Sequence, residues 1–249
     1  MARDWPWLSR APIVEGLLDI QFEALPPERL PDLLRLKDRL PDYPTQANKV
    51  AFAGQLALSP TGGNLSQQSS LIGYQFTTGD GRRVFQARLN GVTLSFLSPY
   101  PRFSDLLTEA KRLWQIVTTD IEPGTVTRLA LRYINKLDLP LPFSDFREYL
   151  LTVPDLAPGI PQSLASYDMR LIIPDTDTPA QAIMAESLQP APNGAAAATI
   201  FLDIDVFQLP TSDQPLEGDH LWSTVEALRD YKNRLFFGTI TDKLKELYE

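Results

Sequence analysis

The chain has 249 residues, of which 43% are hydrophobic and 22% charged, values typical of a soluble globular protein with one large domain or two small ones. It contains no cysteine, which excludes disulfides, thiolate nucleophiles and Cys-ligated zinc or iron–sulfur sites. The single histidine, His220, cannot form a multi-histidine metal site. A formal net charge of −8 argues against a nucleic-acid partner, because phosphate backbones attract positively charged surfaces.

The amino-terminal residues do not follow the pattern of a secretion signal. Charged residues interrupt every apolar run there, at Arg3, Asp4, Arg10 and Glu15. No apolar stretch reaches the roughly eighteen residues that a membrane-spanning helix needs. We therefore expect a cytoplasmic protein that does not insert into a membrane.

The first predicted elements are a strand, a short helix and a second strand. Branched and aromatic residues predict the first strand over residues 12–25, and the two prolines that follow end it. Apolar residues at helical spacing predict a short helix over 31–40. Alternation predicts a strand over 49–59, and the polar, glycine-containing stretch 61–70 predicts a loop.

A three-stranded antiparallel meander is predicted next. Its strands cover residues 73–76, 84–87 and 92–96. Gly79-Asp80-Gly81 and Asn90-Gly91 separate them, and these are turn sequences in which glycine supplies a positive φ.

A long amphipathic helix over residues 103–121 follows the meander. Its apolar residues recur at steps of three and four, and Ser104 is a suitable N-cap. Pro123-Gly124 ends the helix, and a further strand is predicted over 126–137.

The rest of the chain repeats this order of elements. A short helical piece, three strands and a long helix are predicted over 144–151, 166–173, 181–188, 199–208 and 219–236. Gly238 is expected to break the last helix, and Thr239 or Thr241 to cap a new one. The predicted fold is α+β, with two similar helix-grip-like halves that share or abut antiparallel sheets. The boundary falls between 1–123 and 124–249, and the two halves could form one integrated domain.

The strand over 126–137 carries two arginines on one face. Alternation places Arg128 and Arg132 on that face and Tyr133 on the other. The two guanidinium groups are candidates for binding an anion or a partner's carboxylates, and Tyr133 is a candidate third contact. The alternative is internal pairing with the carboxylates of Glu15, Asp19, Asp203 and Asp205.

Asp203 and Asp205 flank Ile204, so that both carboxylates point to one side of a strand. Such a pair can hold magnesium or act as acid and base. No third acidic residue stands at a recognisable metal spacing, and pairing with the two arginines is the alternative. We predict no metal site, no cofactor and no catalytic residue.

Trp5 and Trp7 make the amino terminus unusually apolar. Exposed aromatic residues are typical anchors of protein interfaces, so these two could dock on a partner or on a second subunit. The alternative is that they fold back onto their own core.

Four segments carry a resemblance to a known family: Ala11-Pro12-Ile13-Val14-Glu15, Arg132-Tyr133-Ile134-Asn135, Leu202-Asp203-Ile204-Asp205-Val206 and Lys232-Asn233-Arg234-Leu235-Phe236-Phe237. Over nearly its whole length the chain resembles a sporadically distributed prokaryotic family of uncharacterised proteins. The resemblance implies an accessory or defence-associated role and no particular activity.

Three functions from different classes follow from these observations. The first is a non-enzymatic interaction or regulatory protein of an accessory system, such as an antitoxin or immunity protein, whose partner is another protein or a second copy of the chain. The second is a sensor that binds a small molecule or anion on the concave surface between helix and sheet. The third is a carboxylate- or metal-dependent hydrolase around Asp203 and Asp205.

Overall fold

One antiparallel sheet runs through the part of the chain that the structure describes. The structure is a computed structural model, and it describes residues 5–59, 62–190, 192 and 194–249. The strands in these ranges are β1 Ile13–Phe22, β2 Thr45–Ser59, β3 Gly62–Thr77, β4 Arg83–Arg88, β5 Gly91–Leu97, β6 Val126–Pro140, β7 Tyr167–Pro174, β8 Gln181–Leu188 and β9 Ala197–Gln208. Their order across the nine-stranded sheet is β2-β3-β4-β5-β1-β6-β9-β8-β7.

The central pair of strands, β1 and β6, joins the two halves of the chain. Gly16 of β1 lies opposite Tyr133 of β6, and Leu18 lies opposite Leu131. The other neighbour of β1 is β5, and the other neighbour of β6 is β9. The sheet therefore continues across residue 123, and the two predicted halves share it.

The helices of the described ranges are α1 Leu30–Arg35, α2 Phe103–Asp120, α3 Gly218–Thr239 and α4 Asp242–Glu246, with 3-10 turns at Pro27–Arg29, Leu36–Arg39 and Phe146–Glu148. The two long helices pack on the same face of the sheet, since Trp114 of α2 contacts Phe22 of β1 and Lys232 of α3 lies over Tyr133 of β6. No helix in the described ranges is long and apolar enough to cross a membrane.

The two faces of the central strands differ in chemistry. Leu129, Leu131 and Tyr133 of β6 are buried beneath the helices, whereas Arg128 and Arg132 point to the opposite face. In β9, buried apolar residues likewise alternate with partly buried ones that include Asp203 and Asp205. The helix-covered face thus holds the apolar core, and the opposite face carries charge.

The α+β class is confirmed, and two local predictions are wrong. The stretch 61–70 was expected to be a loop, but β3 begins at Gly62 and pairs with β2 from Ser59 opposite Gly62 onward; Thr61 lies outside the described residues. Backbone hydrogen bonds form such a hairpin whatever its side chains are, so the polar side chains of 61–70 gave no sign of the strand.

The other correction concerns the start of α2. Ser104 lies inside α2, and Arg102 occupies the N-cap position, with its N–H donating to the carboxylate of Asp105 at 3.2 Å. The predicted break near Gly238 is present, because α3 ends at Thr239 and α4 begins at Asp242. The predicted cap at Thr241 is present, because its Oγ1 accepts a hydrogen bond from the N–H of Leu244 at 3.3 Å.

Candidate functional site

The two arginines singled out by the sequence are paired inside the fold. Arg128 donates to Asp205 at 2.7 Å, and its other terminal nitrogen lies 3.6 Å from Asp19. Arg132 donates from Nε to Asp203 at 2.8 Å. These side chains sit on adjacent strands of the helix-free face, where cross-strand neighbours are close enough to form ion pairs.

The same network continues towards β4 and β5. Arg88 donates to Asp19 at 2.7 Å, and the hydroxyl of Thr93 donates to the same carboxylate oxygen at 2.6 Å. Burial raises the pKa of Asp205 despite the opposing charge of Arg128, and its Oδ1 is buried with no hydrogen-bond partner in the described chain. Glu15 lies close enough to add to the electrostatic stabilisation of Arg132. The charged side chains on this face of the sheet, which the sequence gave as binding candidates, therefore neutralise one another.

Tyr133 does not belong to that network. It lies on the opposite face of β6 from Arg128 and Arg132, so these three residues cannot line one pocket. It is buried against a cavity of about 170 Å³ between the central strands, α3 and the amino-terminal segment, residues 5–12. The aromatic walls of this cavity are Trp5, Trp7, Tyr100, Phe103, Tyr133, Phe236 and Phe237.

Two cations on α3 line the cavity. Arg229 and Lys232 are three residues apart, which places them on one face of the helix. The guanidinium of Arg229 lies 4.8 Å from the ring centre of Phe103, and Nζ of Lys232 lies 4.0 Å from that of Tyr133. Neither cation forms an ion pair with a carboxylate of the described residues, whereas Arg234 on the same helix is paired with Asp175.

Burial and the neighbouring cation lower the pKa of Lys232 to about 7. Burial is the larger cause, because a charged ammonium loses hydration among apolar side chains. The positive charge of Arg229 adds to the effect. The share of unprotonated amine at neutral pH is therefore larger than for a fully hydrated lysine.

A pair of tyrosines forms the floor of the cavity. The hydroxyls of Tyr100 and Tyr133 are hydrogen-bonded at 2.6 Å, and their rings meet edge to face. Burial raises the pKa of Tyr133 to about 12 and also raises that of Tyr100, so both hydroxyls stay neutral and one donates to the other. Gly16 makes room for them, because a Cβ at that position would lie 2.6 Å from the Tyr100 ring and 2.9 Å from the Tyr133 ring.

The amino-terminal segment forms another wall. Trp5 stacks on Phe237 with ring centres 5.6 Å apart, and its indole nitrogen donates to Asp230 at 3.1 Å. Trp7 keeps 63% of its surface exposed and has the guanidinium of Arg102 over its ring at 5.2 Å. Of the two sequence hypotheses for this segment, the structure places Trp5 on the chain's own core.

The other candidate binding sites in the described residues are weaker. A wider cleft of about 540 Å³ is lined by Arg147, but that side chain is already paired with Asp155. His220 is exposed in the first turn of α3, away from the cavity. No group of three or more His, Asp or Glu side chains that could hold a metal occurs within the described ranges.

Sequence reasoning found some residues of the cavity and missed others. Trp5, Trp7 and Tyr133 were candidates, and the structure brings them together. Sequence reasoning did not single out four other residues at this place: Gly16, Tyr100, Arg229 and Lys232. Lys232 opens the Lys-Asn-Arg-Leu-Phe-Phe segment noted in the sequence, and that segment was the one available signal.

Comparisons with known proteins do not identify the chain. A scan against protein-family models and a search of curated proteins each return no match. The function is therefore argued from the geometry of the cavity.

Proposed function

We propose that the protein binds a small organic anion with an apolar or aromatic body in the cavity between α3 and the central strands. The observation that carries this proposal is the position of the Arg229 guanidinium beside the Lys232 amine, two basic groups that line an aromatic cavity without a carboxylate partner among the described residues. Both side chains are partly buried. Basic groups withdrawn from water ordinarily have acidic partners, so two of them without such a partner beside a cavity favour an anionic ligand. This is the second of the three functions considered from the sequence, with Tyr133 kept as a contact and with Arg229 and Lys232 in place of Arg128 and Arg132.

The size and walls of the cavity limit the ligand. A cavity of about 150 Å³ accommodates benzene, so the volume of about 170 Å³ suits one ring or a short branched chain beside the charged group. Aromatic walls favour a planar or apolar body. Arg229 is suited to hold a carboxylate or phosphate through two parallel N–H donors.

The finer description of the fold belongs to the same proposal. We infer that the two halves are helix-grip-like repeats, each with a central first strand, antiparallel strands and a long helix. The support is the matching position of β1 and β6 and of α2 and α3. In a crystal structure we expect residues 1–123 to superpose on 124–249 with β1 on β6.

Binding of phenylacetate and phenyl phosphate to the full chain tests the proposed function. Tryptophan fluorescence, to which Trp5 in the wall contributes, and calorimetry should give a Kd of about 0.1–1 mM for ligands of this size. Arg229→Met should weaken binding at least about tenfold through loss of the charged hydrogen bonds. Arg170→Met, which removes an exposed arginine of the edge strand β7, is the matched control and should leave Kd unchanged.

The result that contradicts the proposal is equally specific. If neither compound binds the folded protein, or if Arg229→Met binds both as well as the control does, the cavity is not an anion site. Interaction with another protein remains the first prediction from the sequence, together with membership of the sporadic family. Native mass spectrometry of the tagged protein purified from its host separates the two functions, since a stoichiometric second chain supports interaction and a small added mass supports ligand binding.

A further inference from the structure

Lys232 differs from the lysines of the described ranges that form ion pairs, and also from Lys111, which lies over the Trp222 ring but is exposed. Lys136, Lys243 and Lys245 are paired with Asp138, Glu148 and Asp242. Lys232 has only the face of the Tyr133 ring beneath its Nζ, at 4.0 Å, and no hydrogen bond to another described residue. Its amine is therefore held at the cavity wall without a group that would keep it charged.

The surroundings favour the neutral amine. An aromatic pocket removes water from the ammonium, and a second cation one helical turn away repels it, which are the two ways proteins activate lysine nucleophiles. The ring face of Tyr133 offsets only part of this cost, because a cation–π contact contributes about 1–2 kcal/mol.

We infer that Lys232 forms an imine with the carbonyl carbon of a small oxo acid bound in the cavity. The inference rests on the proposed function and names the class of its ligand. In this step Nζ bonds to the carbonyl carbon, the carbon–oxygen double bond breaks, and the oxygen leaves as water with the two hydrogens of the amine. Nothing is oxidised or reduced, and no further reactant is required.

Arg229 indicates which class of carbonyl compound the cavity would bind. It lies on the same helical face as Lys232, so one ligand can place a carboxylate on the guanidinium and a nearby carbonyl on the amine. An oxo acid has both groups within a few bonds. The aromatic walls favour an apolar or aromatic substituent on it.

The test is trapping of phenylpyruvate on the full chain with cyanoborohydride at pH 7. Peptide mapping should find the reduced adduct on Lys232, formed at least about tenfold faster than on Lys37, an exposed lysine in the 3-10 turn Leu36–Arg39 and outside the cavity. Lys232→Arg should abolish the fast adduct, and Lys37→Arg should leave it unchanged. Phenyllactate, which has the same ring and carboxylate but no carbonyl, should slow trapping and form no adduct.

Each result separates the two proposals. Equal labelling of Lys232 and Lys37 overturns the inference, and this comparison within the wild-type chain does not depend on how any variant folds. If phenylacetate binds through Arg229 while Lys232 is not trapped, the anion site stands and the imine does not. If Lys232 is trapped rapidly while phenylacetate and phenyllactate fail to bind, the amine is reactive and the proposed anion site is wrong.

Discussion

Arg128 lies between Asp205 at 2.7 Å and Asp19 at 3.6 Å, with the ring of Phe207 beneath it at 4.5 Å. Arg128→Met should lower the free energy of unfolding by about 3 kcal/mol, because it leaves a partly buried carboxylate without its counter-charge. Urea denaturation measures the change. Arg170→Met, on the exposed edge strand, should stay within about 0.5 kcal/mol of the wild type. A loss as small as the control's would mean that the network contributes no more than surface ion pairs do.

Glu186 is a buried carboxyl in β8 that forms no ion pair with a cation of the described residues. Tyr167 donates to one of its oxygens, Oε2 has no partner in the described chain, and burial raises its pKa. The folded state therefore keeps a proton that the unfolded state loses above pH about 4.3, so stability falls as pH rises from there through the raised pKa. Glu186→Gln should remove that slope and be more stable than the wild type at pH 7 in urea denaturation. A variant less stable than the wild type at pH 7 would contradict the protonated carboxyl.

Lys232 gives the opposite dependence on pH. Its folded pKa of about 7 lies below the value of 10.5 for a free lysine, so between these limits the unfolded chain binds a proton that the folded chain lacks. The titratable groups that face Lys232 on α3 and β6 are the charged guanidinium of Arg229 and the neutral hydroxyl of Tyr133. Between pH 7 and 9, stability of the wild type relative to Lys232→Met should rise by up to about 1.4 kcal/mol per pH unit. Urea denaturation of both proteins at each pH checks this, and a flat or falling difference would contradict it.

At the scale of elements, the amino-terminal segment is held against the carboxyl-terminal end of the chain. The N–H of Arg10 donates to the carbonyl of Tyr248 at 2.9 Å, and Trp5 stacks on Phe237 of α3. This segment, outside every strand and helix, closes one side of the cavity.

Trp5→Ala should lower the free energy of unfolding by about 2 kcal/mol, since it removes a stacked ring and a hydrogen bond. It should also speed hydrogen exchange at the amide of Arg10, which depends on the docked segment. Trp7→Ala is the matched control, because Trp7 is 63% exposed, and its effect on both readouts should be much smaller. Equal effects of the two substitutions would show that the segment is not anchored through Trp5.

At the scale of the whole molecule, the shared sheet predicts that the halves unfold together. β1 is paired on one side with β5 and on the other with β6, and one hydrophobic core runs beneath both long helices. Urea unfolding followed by tryptophan fluorescence and by far-ultraviolet circular dichroism should give one coincident transition. The separate fragment 1–123 should be unfolded, because β1 would expose the edge that β6 covers. Two transitions, or a folded fragment, would show that the halves are independent domains.

Much of this architecture follows from local sequence patterns. Alternation in 126–137 assigned Arg128 and Arg132 to one face and Tyr133 to the other, because side chains on a strand alternate. The three-to-four spacing in 103–121 located α2 within one residue of its observed end. Such patterns depend only on the geometry of neighbouring residues along the chain.

The cavity depended on contacts between distant parts of the chain. Tyr100 and Tyr133 meet over Gly16, and Lys232 reaches them from α3, although these residues belong to four separate segments. Pairing of the charges also depended on distant parts of the chain. The sequence left open whether Arg128 and Arg132 bind a ligand or pair inside the fold. In the structure β9 supplies Asp205 to Arg128 and Asp203 to Arg132. By itself the sequence determined most of the elements, the faces of the strands and the supply of charge, whereas the part of β3 within 61–70 was not predicted. Only the tertiary structure decided which cations are neutralised and which are left at a cavity, because pairing depends on strand order and helix placement, which no local pattern encodes.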